Sequence, residues 1–207
     1  MKVIKNIKEM RTFSDAVRKA GKSIVFAPTM GCLHRGHVSL LEKGRSLGDV
    51  LVLSIFVNPL QFGPKEDYAS YPRDFNADLT LAEANKADVV FSPDAEEMYP
   101  DGYETHVEVE RLSRHLCGIS RPGHFRGVAT VVAKLFNIIM PDTAIFGQKD
   151  FQQLMIIKRM VQDLNIGVNI VSVPTIREPD GLAISSRNKH LNREERKAAL
   201  CLYNAIK

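Results

Sequence analysis

His34 and His37 stand three residues apart in the stretch Pro28-Thr29-Met30-Gly31-Cys32-Leu33-His34-Arg35-Gly36-His37. Imidazole N–H groups at that spacing share one side of a helix entrance, where they can bind phosphate oxygens and stabilise charge developing in a transition state. Gly31 and Gly36 let the backbone approach a nucleotide closely. A solvated polar loop is the plainer alternative. A zinc pair is weaker, because no third ligand stands at a recognisable spacing. Phe146-Gly147-Gln148-Lys149-Asp150, with Gln153 one turn on, supplies a cation for phosphate. Its carboxylate can cap a helix or accept from a ribose hydroxyl. Ser185-Ser186-Arg187-Asn188 joins two hydroxyls to a guanidinium, the makings of a phosphate clamp. Asn58 and Gln61 are neutral amides, better suited to a small hydroxylated acid than to a second phosphate. Arg111, Arg114, His115, Arg121, His124 and Arg126 form a basic run with no carboxylate among them, which as a long loop could fold over a polyphosphate.

These groups need a scaffold that brings several loop ends together. Ser23 to Ala27 is an apolar strand feeding the histidine loop, and residues 36–47 read as the helix that follows. Asp49 to Val57 is a continuous apolar run, as expected of a parallel strand covered on both faces, and it delivers Asn58. The periodicity then predicts a helix over about 74–86, with Leu79, Leu81 and Ala84 on its core face, and a strand over 89–93. Residues 94–127 are irregular, with a short strand at His106 to Val109. A helix over 128–139, a strand over 143–146, a helix over 151–164 and a strand over 168–173 complete the series, which a helix over 8–20 precedes. The alternation predicts an α/β protein with a doubly wound, mainly parallel, Rossmann-like sheet over residues 1–174. The histidine loop and Lys149 then face one crevice if their strands are neighbours. Residues 175–207 are a turn-rich link, a polar loop and a last helix, capped by Asn192 and still running at Lys207. They read as the beginning of a second domain that is mostly missing.

Composition excludes several classes. Hydrophobic residues make up 44% and charged residues 25% of the 207, as in ordinary globular proteins. The net charge is +4, yet Lys and Arg are spread along the chain and the basic run lacks interleaved aromatics, which argues against nucleic acid. No apolar stretch approaches the ~20 residues of a membrane span and no signal-peptide core is present, so no membrane is expected and the location reads as cytoplasmic. Cys32, Cys117 and Cys201 are odd in number and lack CxxC spacing, so reduced thiols are expected. Neither a P-loop nor a dinucleotide fingerprint occurs, which leaves adenylyl transfer favoured over γ-phosphoryl or hydride transfer.

Taken together, Pro28 to Gly31 with His34 to His37, Phe56 to Phe62, Tyr71-Pro72-Arg73, Arg121 to Val128, Phe146 to Asp150 and Ser185 to Asn188 closely resemble the pantothenate synthetases, in order and over nearly the whole chain. The resemblance implies ATP-dependent condensation of pantoate with β-alanine through a pantoyl-adenylate, with Mg2+ on the phosphates, and a homodimer formed through the N-terminal domain. It also implies membership of the nucleotidyltransferases with a His-x-Gly-His signature. By motif position, Met30, Gly31, Cys32, Leu33, His34, Arg35, Gly36 and His37 would bind ATP, with His37 an acid and His34 its companion on the phosphates. Gly147, Gln148, Lys149, Asp150, Ile176, Ile184, Ser185, Ser186 and Arg187 would complete the nucleotide site, Lys149 and Arg187 neutralising phosphate charge. Gln61 and Gln153 would hold pantoate, Gln61 also approaching β-alanine, and Asn58, Tyr71, Arg121 and His124 would join the substrate-binding set. Residues 175–207 would begin the family's lid over the site.

Overall fold

A computed structural model describes residues 1–206. In chain order the elements are β1 (Lys2–Ile4), α1 (Ile7–Lys19), β2 (Ile24–Thr29), α2 (Arg35–Arg45), β3 (Val50–Ile55), α3 (Phe75–Ala84), β4 (Val89–Phe91), α4 (Ala95–Met98), α5 (Cys117–Ser120), α6 (His124–Ile139), β5 (Thr143–Gly147), α7 (Phe151–Asp163), β6 (Asn169–Val173), α8 (Arg193–Ala198) and α9 (Cys201–Ala205). The strands form one sheet in the order β1-β4-β3-β2-β5-β6, and every pairing is parallel. β2 and β3 pair along their full length, from Ile24 opposite Val50 to Thr29 opposite Ile55. Their near-continuous apolar sequences follow from this central place, since helices cover both faces. Phe26, Val52 and Phe146 point into a core with α1, α6 and α7, while Val25, Leu51, Leu53 and Ile145 point into a second core with α2 and α3.

The doubly wound architecture is as expected. The sheet grows outward from β2 in both directions, so the order reverses between β2 and β5, where Val25 lies opposite Thr143 and Phe26 opposite Ala144. The strands that deliver the histidine loop and Lys149 are therefore neighbours. An α/β sheet opens its ligand crevice at such a reversal.

Several details differ from expectation. Lys2–Ile4 forms an edge strand on β4 that three residues with one buried side chain do not announce. His106 to Val109 is not a strand, because the Val107 N–H donates to the Thr130 hydroxyl at 2.9 Å instead of to a neighbouring strand. Residues 94–127 hold α4, α5 and a 3-10 turn at Leu112–Arg114. α6 starts at His124 rather than Val128, because Gly123 at φ 82° turns the chain directly into it. On α3 the fully covered side chains are Asp78 and Ala82, and Ala84 is exposed. The last helix is two short pieces, α8 and α9, the first opened by a capping box between Asn192 and Glu195; the expectation for Lys207 lies outside the described residues.

Candidate active site

A cleft of about 240 Å³ opens beyond the carboxyl ends of β2 and β5. Met30, His34, Gly36 and His37 line it from the β2 loop, Gly147, Lys149, Asp150 and Gln153 from the β5 loop, and Ile176 and Ile184 to Arg187 from the link. Gln61, Asn58, Tyr71, Arg121 and His124 line the opposite side. The floor is apolar, with Phe56, Val128, Val131, Val132 and Leu135, of which Val131, Val132 and Leu135 carry no motif signature.

The histidines are part of the helix they precede. His34 is the N-cap of α2, its Nδ1 accepting from the Gly36 N–H at 3.1 Å, while the His34 N–H donates to His37 Nδ1 at 3.3 Å. Each ring therefore accepts at Nδ1 from a backbone donor, so its proton, when neutral, sits on Nε2. The rings lie with centroids 4.1 Å apart and tilted by 30°. Burial, His34 and Lys149 push His37 down to about 3, and burial followed by Lys149 lowers His34. Burial thus favours the neutral His37 imidazole, with its N–H on Nε2. Gly36 permits the arrangement, because a Cβ there would lie 3.0 Å from the His34 ring.

Not all of residues 30–37 face the cleft. Cys32 and Leu33 are buried and donate their N–H groups to Asp78, at 2.9 Å to Oδ2 and 2.6 Å to Oδ1. Gly31 sits at φ 81°, and a Cβ there would lie 2.8 Å from Asp78 Oδ2. Gly31, Cys32 and Leu33 therefore shape the loop from behind, and Arg35 is exposed without lining the cleft. Asp78, 3% exposed, holds the back of this loop, a support that sequence reading missed. Its only signal is a carboxylate on the covered face of α3, and burial raises its pKa. Gln148 also lies outside the cleft lining, with its Nε2 donating to the Ser172 hydroxyl at 3.3 Å. Asp150 does not cap α7; its carboxylate lies 3.5 Å from Lys149 Nζ, leaving the helix's positive end without a side-chain acceptor.

On the amide side, Gln61 and Asn58 part company. Asn58 is 1% exposed and every hydrogen-bonding position of its amide is used. It touches the cleft wall, with its amide engaged entirely inside the protein. Gln61 keeps its carboxamide nitrogen toward the cleft, 3.1 Å from Met30 Sδ. Arg121 holds Glu66 through two bonds of 2.7 and 2.6 Å, and His124 donates from Nδ1 to the Gln61 carbonyl at 2.8 Å. The Arg121 charge is thereby neutralised, and the Glu66 carboxyl is held below its usual range by that guanidinium. Arg187 is similarly engaged by Asp67, at 2.9 Å through both Nε and Nη2, and stacks 5.6 Å from the Tyr71 ring. Glu66 and Asp67 carry no motif to reveal them.

A parallel sheet with paired imidazoles, a lysine and an open helix end at its switch point is the arrangement of an α/β protein with its ligand cleft at the sheet's reversal. The model of the pantoate-beta-alanine ligase family matches residues 2–207. The chain is 59% identical over 206 residues to the pantothenate synthetase of Geobacter sulfurreducens, covering 100% of this chain and 73% of that protein. It is 57% identical over 207 residues to that of Thermotoga petrophila, covering 100% and 74%. Among solved structures, pantothenate synthetase from Thermus thermophilus superposes with a TM-score of 0.93 at 49% identity, over 99% of this chain and 73% of that one. The pantoate-beta-alanine ligase of Francisella tularensis, complexed with beta-gamma ATP and beta-alanine, gives 0.93 at 41% identity, over 99% and 78%. The chain belongs to the pantoate-beta-alanine ligase family.

Proposed function

We propose that this chain condenses pantoate with β-alanine at the expense of ATP, with the imidazole pair and Lys149 on the phosphates and Gln61 and Gln153 on the acid. The observation that carries the assignment is the division of one cleft: two Nε2–H donors and a lysine on one wall, and a neutral carboxamide donor on the other. Arg121, already neutralised by Glu66, leaves the amide side without a free cation for a phosphorylated acceptor, which favours a carboxylic acid there.

In the first step a pantoate carboxylate oxygen attacks the α-phosphorus. The bond to the bridging oxygen breaks, and pyrophosphate leaves with the electron pair. A carboxylate is a weak nucleophile, so holding it in line supplies the proximity the step needs. His34 and His37 donate from Nε2 to phosphate oxygens, and Lys149 offsets their charge. In the second step the β-alanine amine attacks the acyl carbon, loses a proton, and AMP departs with the electrons of the broken acyl–oxygen bond. The apolar floor keeps water from the mixed anhydride. Asp150 is the carboxylate of the cleft lining, which suits Mg2+ carried mainly by ATP phosphates; Asp150 would hold the ion, which would supply further charge neutralisation.

The same reading takes residues 175–207 as the start of a lid domain, the protein as a homodimer through its N-terminal domain, and its location as cytoplasmic. No helix among the described residues is long and apolar enough to cross a membrane. The deciding assay measures pyrophosphate release from ATP with each substrate omitted in turn. Release is expected to require pantoate and not β-alanine; release that ignores pantoate overturns the proposal.

A further inference from the structure

Tyr99 ends α4 and lies behind Asn58, outside the residues that line the cleft. Its hydroxyl donates to Asn58 Oδ1 at 2.8 Å, and the Leu60 N–H donates to the same oxygen at 3.3 Å. On the other side, Asn58 Nδ2 donates to the Gly127 carbonyl and to Gln61 Oε1, both at 3.1 Å. A backbone donor and a backbone acceptor settle which end of the Asn58 amide is oxygen. Gln61 therefore meets an N–H, must turn its oxygen inward, and shows its nitrogen to the cleft.

We infer that Tyr99 is a positioning residue for the acid substrate, acting through Asn58 to hold Gln61 with its carboxamide nitrogen toward the cleft. The inference rests on the reading of Gln61 as the group that holds the acid. Without the Tyr99 hydroxyl, Asn58 Oδ1 keeps only the long bond from Leu60, so the amide, its ends still set by Leu60 and Gly127, is held less firmly and its Nδ2 can draw away from Gln61 Oε1. Gln61 would then lose the donor that keeps its oxygen inward and be free to turn that oxygen, an acceptor, toward a carboxylate. Tyr99 is well placed for the task, because its ring is held independently by Phe56, with centroids 6.1 Å apart, by Tyr103 at 5.0 Å, and by the Lys134 ammonium 5.6 Å from the ring centre. Burial raises its pKa, so the hydroxyl stays protonated and remains a donor.

Tyr99→Phe keeps the ring and removes only the O–H. In steady-state assays it should raise KM for pantoate about tenfold and leave KM for ATP within about twofold. Asn58→Asp, which has no N–H to offer Gln61, should lose more. In a Gln61→Ala background Tyr99→Phe should add nothing. Equal rises in both KM values, or an additive effect on Gln61→Ala, overturns the inference. The side-chain amide signals of Asn58 and Gln61 in NMR spectra of the isotope-labelled, substrate-free protein give an independent readout. Both should shift in Tyr99→Phe, and an unmoved Gln61 signal also overturns it. If the unsubstituted protein releases no pyrophosphate with pantoate, the substrate reading fails while the NMR comparison still decides the Tyr99 chain.

Discussion

The guanidinium of Arg187 grips both carboxylate oxygens of Asp67 at 2.9 Å, so the arginine nominated for ATP phosphate is already occupied by an internal anion. Both side chains are partly exposed, 45% and 29%, and pairs of that kind contribute about 0.2 to 1 kcal/mol. Asp67→Asn releases the guanidinium. KM for ATP should fall by up to about fivefold, the factor that ~1 kcal/mol commands, with KM for pantoate unchanged. A rise in KM for ATP would show that Asp67 orients Arg187 rather than competing for it.

His37→Gln should cut the pantoate-dependent burst of pyrophosphate by ~10² or more, the scale of one lost transition-state donor. The same residue should mark the acid side of the stability curve. Its folded pKa of about 3 lies below the ordinary 6.5, so the unfolded chain takes up a proton first as pH falls. Above 6.5 the difference contributes nothing. Between 6.5 and 3 it costs up to about 1.4 kcal/mol per pH unit. Thermal melting from pH 7 to 5 should therefore be shallower for His37→Gln than for the parent. Parallel curves would refute the buried neutral imidazole.

Asp78→Asn should destabilise the fold by about 2 kcal/mol in chemical denaturation, because one of the two N–H groups at Cys32 and Leu33 then meets another donor. Turnover should fall as well, since the same loop sets Met30 and His34. Loss of stability with unchanged kcat would confine Asp78 to the core.

His34→Asn separates cap from catalysis. Asparagine is a strong N-cap, so the melting temperature should stay close to the parent's, whereas His34→Ala should lose ~1 kcal/mol. Both variants should lose the Nε2 donor, and adenylation should fall alike in the two. An active His34→Asn would remove His34 from the phosphate site.

The sheet and the crevice are legible in the sequence because β2, β3 and β5 are buried runs and each ends in polar motif residues. What escapes reading is whatever depends on distant partners. β1 is three residues held by pairing with β4. Asn58 resembles a ligand in sequence, yet Tyr99, Leu60, Gln61 and Gly127 use its whole amide. Asp78 carries no motif, and its role exists only because α3 packs behind the Gly31 to Leu33 turn. Arg121 and Arg187 read as free cations because Glu66 and Asp67 lie far from them in sequence.

The adjacency of β2 and β5 also orders events during synthesis. The histidine loop emerges from the ribosome long before Lys149, and its strand cannot gain its β5 neighbour until the intervening chain has been made and packed. A nascent chain thus holds the imidazole pair without the Lys149 that joins it in the finished cleft. On the proposed function, ATP turnover would therefore wait for the central sheet to close between β2 and β5.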